Sequence, residues 1–143
     1  MFPKVKICCI SSLIEAKMAI EHGASALGLV AKMPSGPGPI SDALIQEIAA
    51  SVPPPIASFL LTSRTDAAGI AAHQQAVGTN TVQIVDALSE GSYADLRLTL
   101  PGISIVQVIH VIDERSVEEA LEIAPQVDAL LLDSGNPNLA VKE

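Results

Sequence analysis

The most reactive side chain in this sequence stands at the end of its first apolar segment. Cys8 follows Lys6 and Ile7 and precedes Cys9, and the chain then reaches Ser12, whose position is typical of a helix N-cap. Two interpretations of Cys8 are open. Free cysteine is usually a small buried hydrophobic residue, whereas a thiol at the rim of a sheet can do chemistry as a thiolate. Cys9 fits the first interpretation.

Cys8 belongs to a regular alternation of apolar strands and helical segments. Strand starts recur about every 25 residues, a spacing typical of strand–helix units. The expected strands are Val5–Cys8, Ala26–Val30, Ile56–Leu61, Thr81–Val85, Ile103–Val111 and Asp128–Leu132, the last ending on Asp133. The first expected helix begins at Ser12, with a capping box to Glu15. The other four are expected from Ser41 to Ser51, Thr65 to Ala76, Glu90 to Leu100 and Arg115 to Ala124. The last of them has Ser116 and Glu119 at capping-box spacing.

Polar residues on these aliphatic strands bear on the architecture. Strict alternation indicates a parallel sheet with helices outside it, either doubly wound or a TIM barrel. Lys6, Gln83 and Gln107 each stand among aliphatic neighbours, and a flat sheet covered on both faces would tolerate such groups poorly. A barrel lets the three meet near its mouth, where ligands bind. We therefore expect a barrel in which they bind substrate; a paired core lysine is the other interpretation of Lys6.

The number of strands falls short of a complete barrel. A (β/α)8 barrel has eight strands and usually about 250 residues, whereas six strands and five helices are expected within these 143 residues. We therefore expect residues 1–143 to form a single α/β domain, an incomplete TIM (β/α)8 barrel that lacks the last two strand–helix units. Its two open parallel edges could serve to form a homo-oligomer.

Composition and charge argue against several classes of function. A net charge of −8 disfavours nucleic-acid binding and offers no polybasic patch for a membrane. With 49% hydrophobic but 2% aromatic residues, the core is expected to be aliphatic. His22, His73 and His110 show no metal-ligand spacing, so no metal is expected. Adjacent cysteines cannot form a relaxed disulfide, so we expect reduced thiols and a cytoplasmic location.

Three segments carry a resemblance to a known family. They are Lys6-Ile7-Cys8-Cys9-Ile10-Ser11-Ser12, Thr81-Val82-Gln83-Ile84-Val85 and Asp128-Ala129-Leu130-Leu131-Leu132-Asp133-Ser134. In order, they resemble the opening Lys-Ile-Cys-Gly-Ile-Thr, the Val-Gln-Leu-His strand and the sixth strand of the phosphoribosylanthranilate isomerases. The resemblance implies a TIM barrel of tryptophan biosynthesis that needs no cofactor and acts on a small phosphosugar.

The resemblance also implies a reaction and two catalytic residues. The family carries out the Amadori rearrangement of N-(5-phosphoribosyl)anthranilate, and Cys8 matches its general base and Asp133 its general acid. The acid would protonate the ribose ring oxygen to open the ring, and the thiolate would then remove the C2 proton of the resulting iminium. Capping of the following turn is the alternative role for Asp133.

The sequence departs from the family pattern at four positions. Cys9 replaces a glycine, Gly38 a substrate-binding arginine, Val85 a histidine and Gln107 a lysine. Each replacement removes a side chain expected to contact the substrate or changes the surroundings of the substrate. Two alternatives therefore stay open: a barrel-derived binding module without catalysis, and an isomerase or epimerase that acts on another phosphosugar.

Overall fold

The computed structural model describes residues 2–134, in which six parallel strands form a half-barrel with five α-helices. The strands are β1 (Lys6–Ile7), β2 (Ala26–Val30), β3 (Ala57–Thr62), β4 (Thr81–Ile84), β5 (Ser104–His110) and β6 (Ala129–Asp133). The helices are α1 (Leu13–Glu21), α2 (Asp42–Ser51), α3 (Ala67–Val77), α4 (Tyr93–Thr99) and α5 (Arg115–Ile123), followed by a 3₁₀ turn at Ala124–Gln126. The loop expected after Asp133 falls, from residue 135 onward, outside the described residues.

The order of the strands distinguishes between the two architectures that the sequence left open. Each strand pairs in parallel with the next one along the chain, from β1 through to β6. A doubly wound sheet would reverse its strand order at a switch point, and no reversal occurs among these six strands. The expected incomplete barrel of six strands and five helices is therefore confirmed.

The core lies between the strands and the surrounding helices. One apolar cluster packs the β2 and β3 side chains Leu27, Leu29 and Leu60 against Ile45 and Ile48 of α2. A second cluster packs β4 and β5 against α3 and α4. Both are almost entirely aliphatic, as composition predicts. None of the helices within residues 2–134 has the length and hydrophobicity that a bilayer crossing requires.

Polar side chains cap the first turns of four of the five helices, α1 and α4 among them. Ser12 accepts a hydrogen bond from the Glu15 backbone N–H at 3.1 Å, as expected. The Glu15 carboxylate, however, accepts from the N–H and hydroxyl of Ser11, and these bonds hold the pKa of Glu15 below its usual range. A full capping box begins α4, where Ser92 and Asp95 each accept from the other's backbone N–H.

The predicted capping box of the fifth helix is wrong. Glu114 is the N-cap residue of α5 and makes no side-chain capping bond. Ser116 lies inside the helix, where its hydroxyl accepts from the Ile112 N–H at 3.0 Å and donates to the His110 carbonyl at 3.3 Å. The hydroxyl thus ties α5 to the end of β5, and the expected cap with Glu119 does not form.

Candidate active site

Several polar side chains share the inner face of the half-barrel, the face turned away from the helices. Residues in register on neighbouring parallel strands point to the same side of a sheet, as do every second residues along one strand. Following the register from β1 to β6 places Lys6, Gln83, His110 and Asp133 on one face. The opposite face carries the apolar side chains that pack against the helices.

Lys6 and Gln83 meet on this face, as the sequence predicts. The Lys6 ammonium donates to Gln83 Oε1 at 2.5 Å and lies 4.8 Å from the centre of the Phe59 ring. Burial lowers the pKa of Lys6, and ionised thiols of Cys8 and Cys9 would oppose that effect. The amine is therefore a half-buried cation with one neutral partner, able to hold an anionic group at the inner face.

Cys8 follows β1 directly and is exposed at the carboxyl end of the sheet. Its thiol lies over Gly28 of β2: a Cβ added to Gly28 would stand 2.7 Å from Cys8 Sγ and 3.0 Å from Cys8 Cα. A glycine is needed there because any side chain would collide with the Cys8 backbone. The expected position of Cys8 at the rim is thus confirmed, although β1 ends one residue earlier than expected, at Ile7.

Cys9 and Gly38 form a second close contact, between β1 and the loop that follows β2. Cys9 has φ 57°, the one positive φ of a non-glycine residue in the described part of the chain. Its thiol donates to the Pro37 carbonyl at 3.6 Å, and a Cβ on Gly38 would lie 2.7 Å from Cys9 Cβ. Burial, followed by the neighbouring Cys8, raises the pKa of Cys9. Cys9 therefore occupies space that a side chain at position 38 would need.

Asp133 ends β6 on the inner face, beside a residue that sequence reasoning missed. His110 Nδ1 lies 3.6 Å from Asp133 Oδ2, and His110 Nε2 donates to the Val85 carbonyl at 3.1 Å. Asp86 approaches the same ring, with its Oδ1 4.0 Å from Nε2. One signal for His110 exists in the sequence: it ends the fifth strand as Asp133 ends the sixth, and parallel strand ends meet at one edge.

Gln107 lies on the other face, and the prediction that it shares a face with Lys6 and Gln83 is wrong. It is in register with Ile84, whose side chain packs against the helices. Its side chain is 1% exposed, accepts from the Tyr93 hydroxyl at 2.8 Å and donates to the Ile84 and Asp86 carbonyls. Its polar groups are satisfied within the helix layer, away from the inner face.

The remaining features of the surface add no further group to the site. Among residues 2–134, no cluster of three or more His, Cys, Asp or Glu side chains could hold a metal ion. A cleft of about 540 Å³ opens beside β1 and α1. Cys8 and Cys9 are among its lining residues, but most of the lining is apolar, with side chains such as Val5, Ile7 and Met18. Since Ile7 points away from the inner face, we assign this cleft to the open edge of the sheet.

Curated proteins that this chain resembles include several N-(5'-phosphoribosyl)anthranilate isomerases. No protein-family model matches the chain. N-(5'-phosphoribosyl)anthranilate isomerase 2 of Methanosarcina mazei is 32% identical over 132 residues, which are 92% of this chain and 58% of that protein. The N-(5'-phosphoribosyl)anthranilate isomerase of Gloeobacter violaceus is 32% identical over 140 residues, 96% of this chain and 61% of that protein. The chain thus spans about three fifths of the length of these curated relatives.

A solved structure shows the same fold. The phosphoribosyl anthranilate isomerase of Thermotoga maritima superimposes with a TM-score of 0.79 at 25% identity, covering 99% of this chain and 66% of that one. The match extends over the whole half-barrel, from β1 with Cys8 to β6 with Asp133. In sequence and in fold, the chain is therefore a relative of the phosphoribosylanthranilate isomerases.

Proposed function

We propose that this chain carries the acid–base site of a phosphoribosylanthranilate isomerase-like enzyme of tryptophan biosynthesis. The observation that carries the proposal is the placement of Cys8 and Asp133. Both stand at the carboxyl ends of strands, at the edge of the sheet where barrel enzymes place their sites. The resemblance of their surrounding segments to the family also supports Cys8 as the general base and Asp133 as the general acid.

The reaction is an aldose–ketose isomerisation of the Amadori type, and it needs one acid and one base. Asp133 gives a proton to the ribose ring oxygen while the bond from C1 to that oxygen breaks, and the substrate nitrogen supplies the electron pair that forms the iminium. Cys8, as a thiolate, then removes the C2 proton, and the electrons of that C–H bond neutralise the iminium to give the enamine. Tautomerisation of the enamine yields the ketose product.

Lys6 and Gln83 are the substrate-binding residues of this proposal. The Lys6 ammonium has one neutral partner, the Gln83 amide oxygen, and so keeps two N–H donors for other groups. Burial lowers the pKa of this amine. An anionic group of a phosphosugar would act in the opposite direction and favour the charged form. Gln107 is left out of the site because its amide is buried in the helix layer.

Turnover of N-(5-phosphoribosyl)anthranilate by the purified chain tests the proposal. We expect Cys8→Ser and Asp133→Asn each to lower kcat by about a hundredfold or more, the usual contribution of a positioned acid or base. Cys9→Ser is the matched control, because its thiol bonds to the Pro37 carbonyl and it should stay within about threefold. Turnover that resists both substitutions, or failure to complement an isomerase-deficient auxotroph at good expression, would contradict the proposal.

We further propose that the chain self-associates through its open edges and works in the cytoplasm. Within residues 2–134, β1 and β6 each pair with a neighbour on one side. Apolar side chains are exposed at both edges, among them Ile7 on β1 and Leu132 on β6. Closing a single barrel domain from this six-stranded wall would take two further strand–helix units. The free thiols of Cys8 and Cys9 support a reducing compartment.

A further inference from the structure

The imidazole of His110 is held in one tautomer by its surroundings. Nε2 lies 3.1 Å from the Val85 carbonyl oxygen, which can only accept a hydrogen bond. The second polar group near Nε2 is the Asp86 carboxylate at 4.0 Å, also an acceptor. Nε2 must therefore carry a hydrogen, and any change in the protonation of the ring takes place at Nδ1.

Nδ1 is left without a hydrogen-bond partner among the described residues, although it is buried. Buried polar atoms without a partner are rare and costly in folded proteins. Asp133 Oδ2 lies 3.6 Å from it, across the paired ends of β5 and β6. From the helix side, the Ser116 hydroxyl donates to the backbone carbonyl of His110.

We propose that His110 is the proton store of Asp133, with one proton shared between His110 Nδ1 and Asp133 Oδ2. The pairing itself follows from the geometry, whereas the use of the proton rests on the proposed function. His110 does not touch the substrate in this scheme. It is a positioning residue that acts through the carboxyl group.

The proton follows a balanced path. The shared proton passes from His110 Nδ1 to Asp133 as Asp133 protonates the ribose ring oxygen. The C1–O bond breaks with its electron pair on that oxygen. A neutral imidazole and a carboxylate remain, and the pair regains one proton from solvent.

The pH dependence of turnover tests the stored proton. The charged groups that face the ring are Asp86 beyond β4 and Asp133 on β6. In His110→Asn the amide replaces Nδ1 and can still bond to Asp133, but it stores no proton. We expect the alkaline limb of kcat/KM to move to lower pH by about one to two units, with kcat at pH 8 falling tenfold or more and KM changing little.

Two further variants complete that experiment. His110→Gln, whose amide reaches the Val85 carbonyl but not Asp133, should show the same shift of the alkaline limb. His22→Asn is the control and should keep the wild-type profile, because His22 is exposed at the end of α1 and bonds to the Met18 carbonyl. A wild-type profile in His110→Asn would overturn the proposal.

Imidazole NMR of the full chain tests the pairing without any turnover. Nitrogen-15 shifts should show the Nε2–H tautomer of His110 at high pH. At lower pH a downfield Nδ1 proton should appear, and it should vanish in Asp133→Asn. An Nδ1–H tautomer at high pH, or an Nδ1 proton unaffected by Asp133→Asn, would refute the shared proton. A chain that shows both signatures yet lacks turnover would contradict the proposed function alone.

Discussion

Two opposing effects act on the amine of Lys6. Burial disfavours its charged form and is the larger cause of its lowered pKa, while ionised thiols of Cys8 and Cys9 would favour the charge. The hydrogen bond to Gln83 and the Phe59 ring replace only part of the water that the ammonium loses on folding. The charge is thus kept on the inner face at a cost to stability, as expected of a residue retained for binding.

This cost should appear in the pH dependence of stability. Because the folded pKa of Lys6 lies below the unfolded value, the unfolded chain binds more protons between the two values. Relative to Lys6→Met, the wild-type chain should therefore gain stability as pH rises from neutral toward about 10.4, the pKa of an unperturbed lysine. Urea unfolding of both chains at several pH values measures the difference.

Lys4→Met is the control for Lys6→Met, because Lys4 is exposed two residues earlier on the same segment. Its stability relative to wild type should not change over the same pH range. If the stability of wild type relative to Lys6→Met stays constant or falls with rising pH, burial does not dominate at Lys6.

Cys9 and Gly38 should be energetically coupled. Gly38→Ala would bring a methyl group within 2.7 Å of Cys9 Cβ, whereas Gly36→Ala, also at positive φ, meets nothing within 4 Å. Both substitutions strain the backbone by about 1–2 kcal/mol, and overpacking should add about 1–3 kcal/mol for Gly38→Ala alone. In a Cys9→Gly background this excess should disappear. Denaturant unfolding of the single and double variants measures this excess. If it is unchanged in the Cys9→Gly background, direct contact between residues 9 and 38 is not its cause.

At the scale of the helices, the capping box of α4 should matter for stability. Ser92→Ala removes the hydroxyl that accepts from the Asp95 N–H at 3.2 Å, and should cost about 1 kcal/mol of unfolding free energy. The adjacent Tyr93 hydroxyl, which donates to Gln107, depends on the same first turn. Ser35→Ala, in the exposed loop after β2, should change stability by less than about 0.5 kcal/mol. Equal effects of the two substitutions in urea unfolding would argue against the cap.

Helices and strands delimited by turn or cap residues could be predicted from the sequence. Which face of the sheet a strand residue points to could not be predicted where both faces of the strand are aliphatic. The buried run Ala26–Val30 and the Ser41-capped helix were placed correctly because turn and cap residues delimit them. Strand β5 is aliphatic on both faces, so its sequence pattern does not show which way Gln107 points; only the pairing of Ile84 with Gln107 fixes this. The same pairing geometry brings His110 to Asp133, and it is not visible in either strand alone.

For the molecule as a whole, burial is uneven across the sheet. Every residue of β2 is buried, whereas Ile7 on β1 is 41% exposed and Leu132 on β6 is 65% exposed. Both of these side chains point to the helix side of the sheet, the side on which the central strands are covered. Within residues 2–134, the outer edges of β1 and β6 pair with no further strand, and such edges flanked by exposed apolar groups favour association.

Self-association through the β6 edge should therefore be sensitive to charge. Leu132→Glu places a carboxylate where an associating surface would have to desolvate it, so the association should weaken at least tenfold, about 1.4 kcal/mol. Leu98→Glu is the matched control: Leu98 is 82% exposed but lies on α4, between the two edges. Sedimentation velocity over a range of concentrations compares the three chains. A wild-type chain that stays monomeric throughout would contradict association, and equal weakening by both substitutions would show that the edges are not its site.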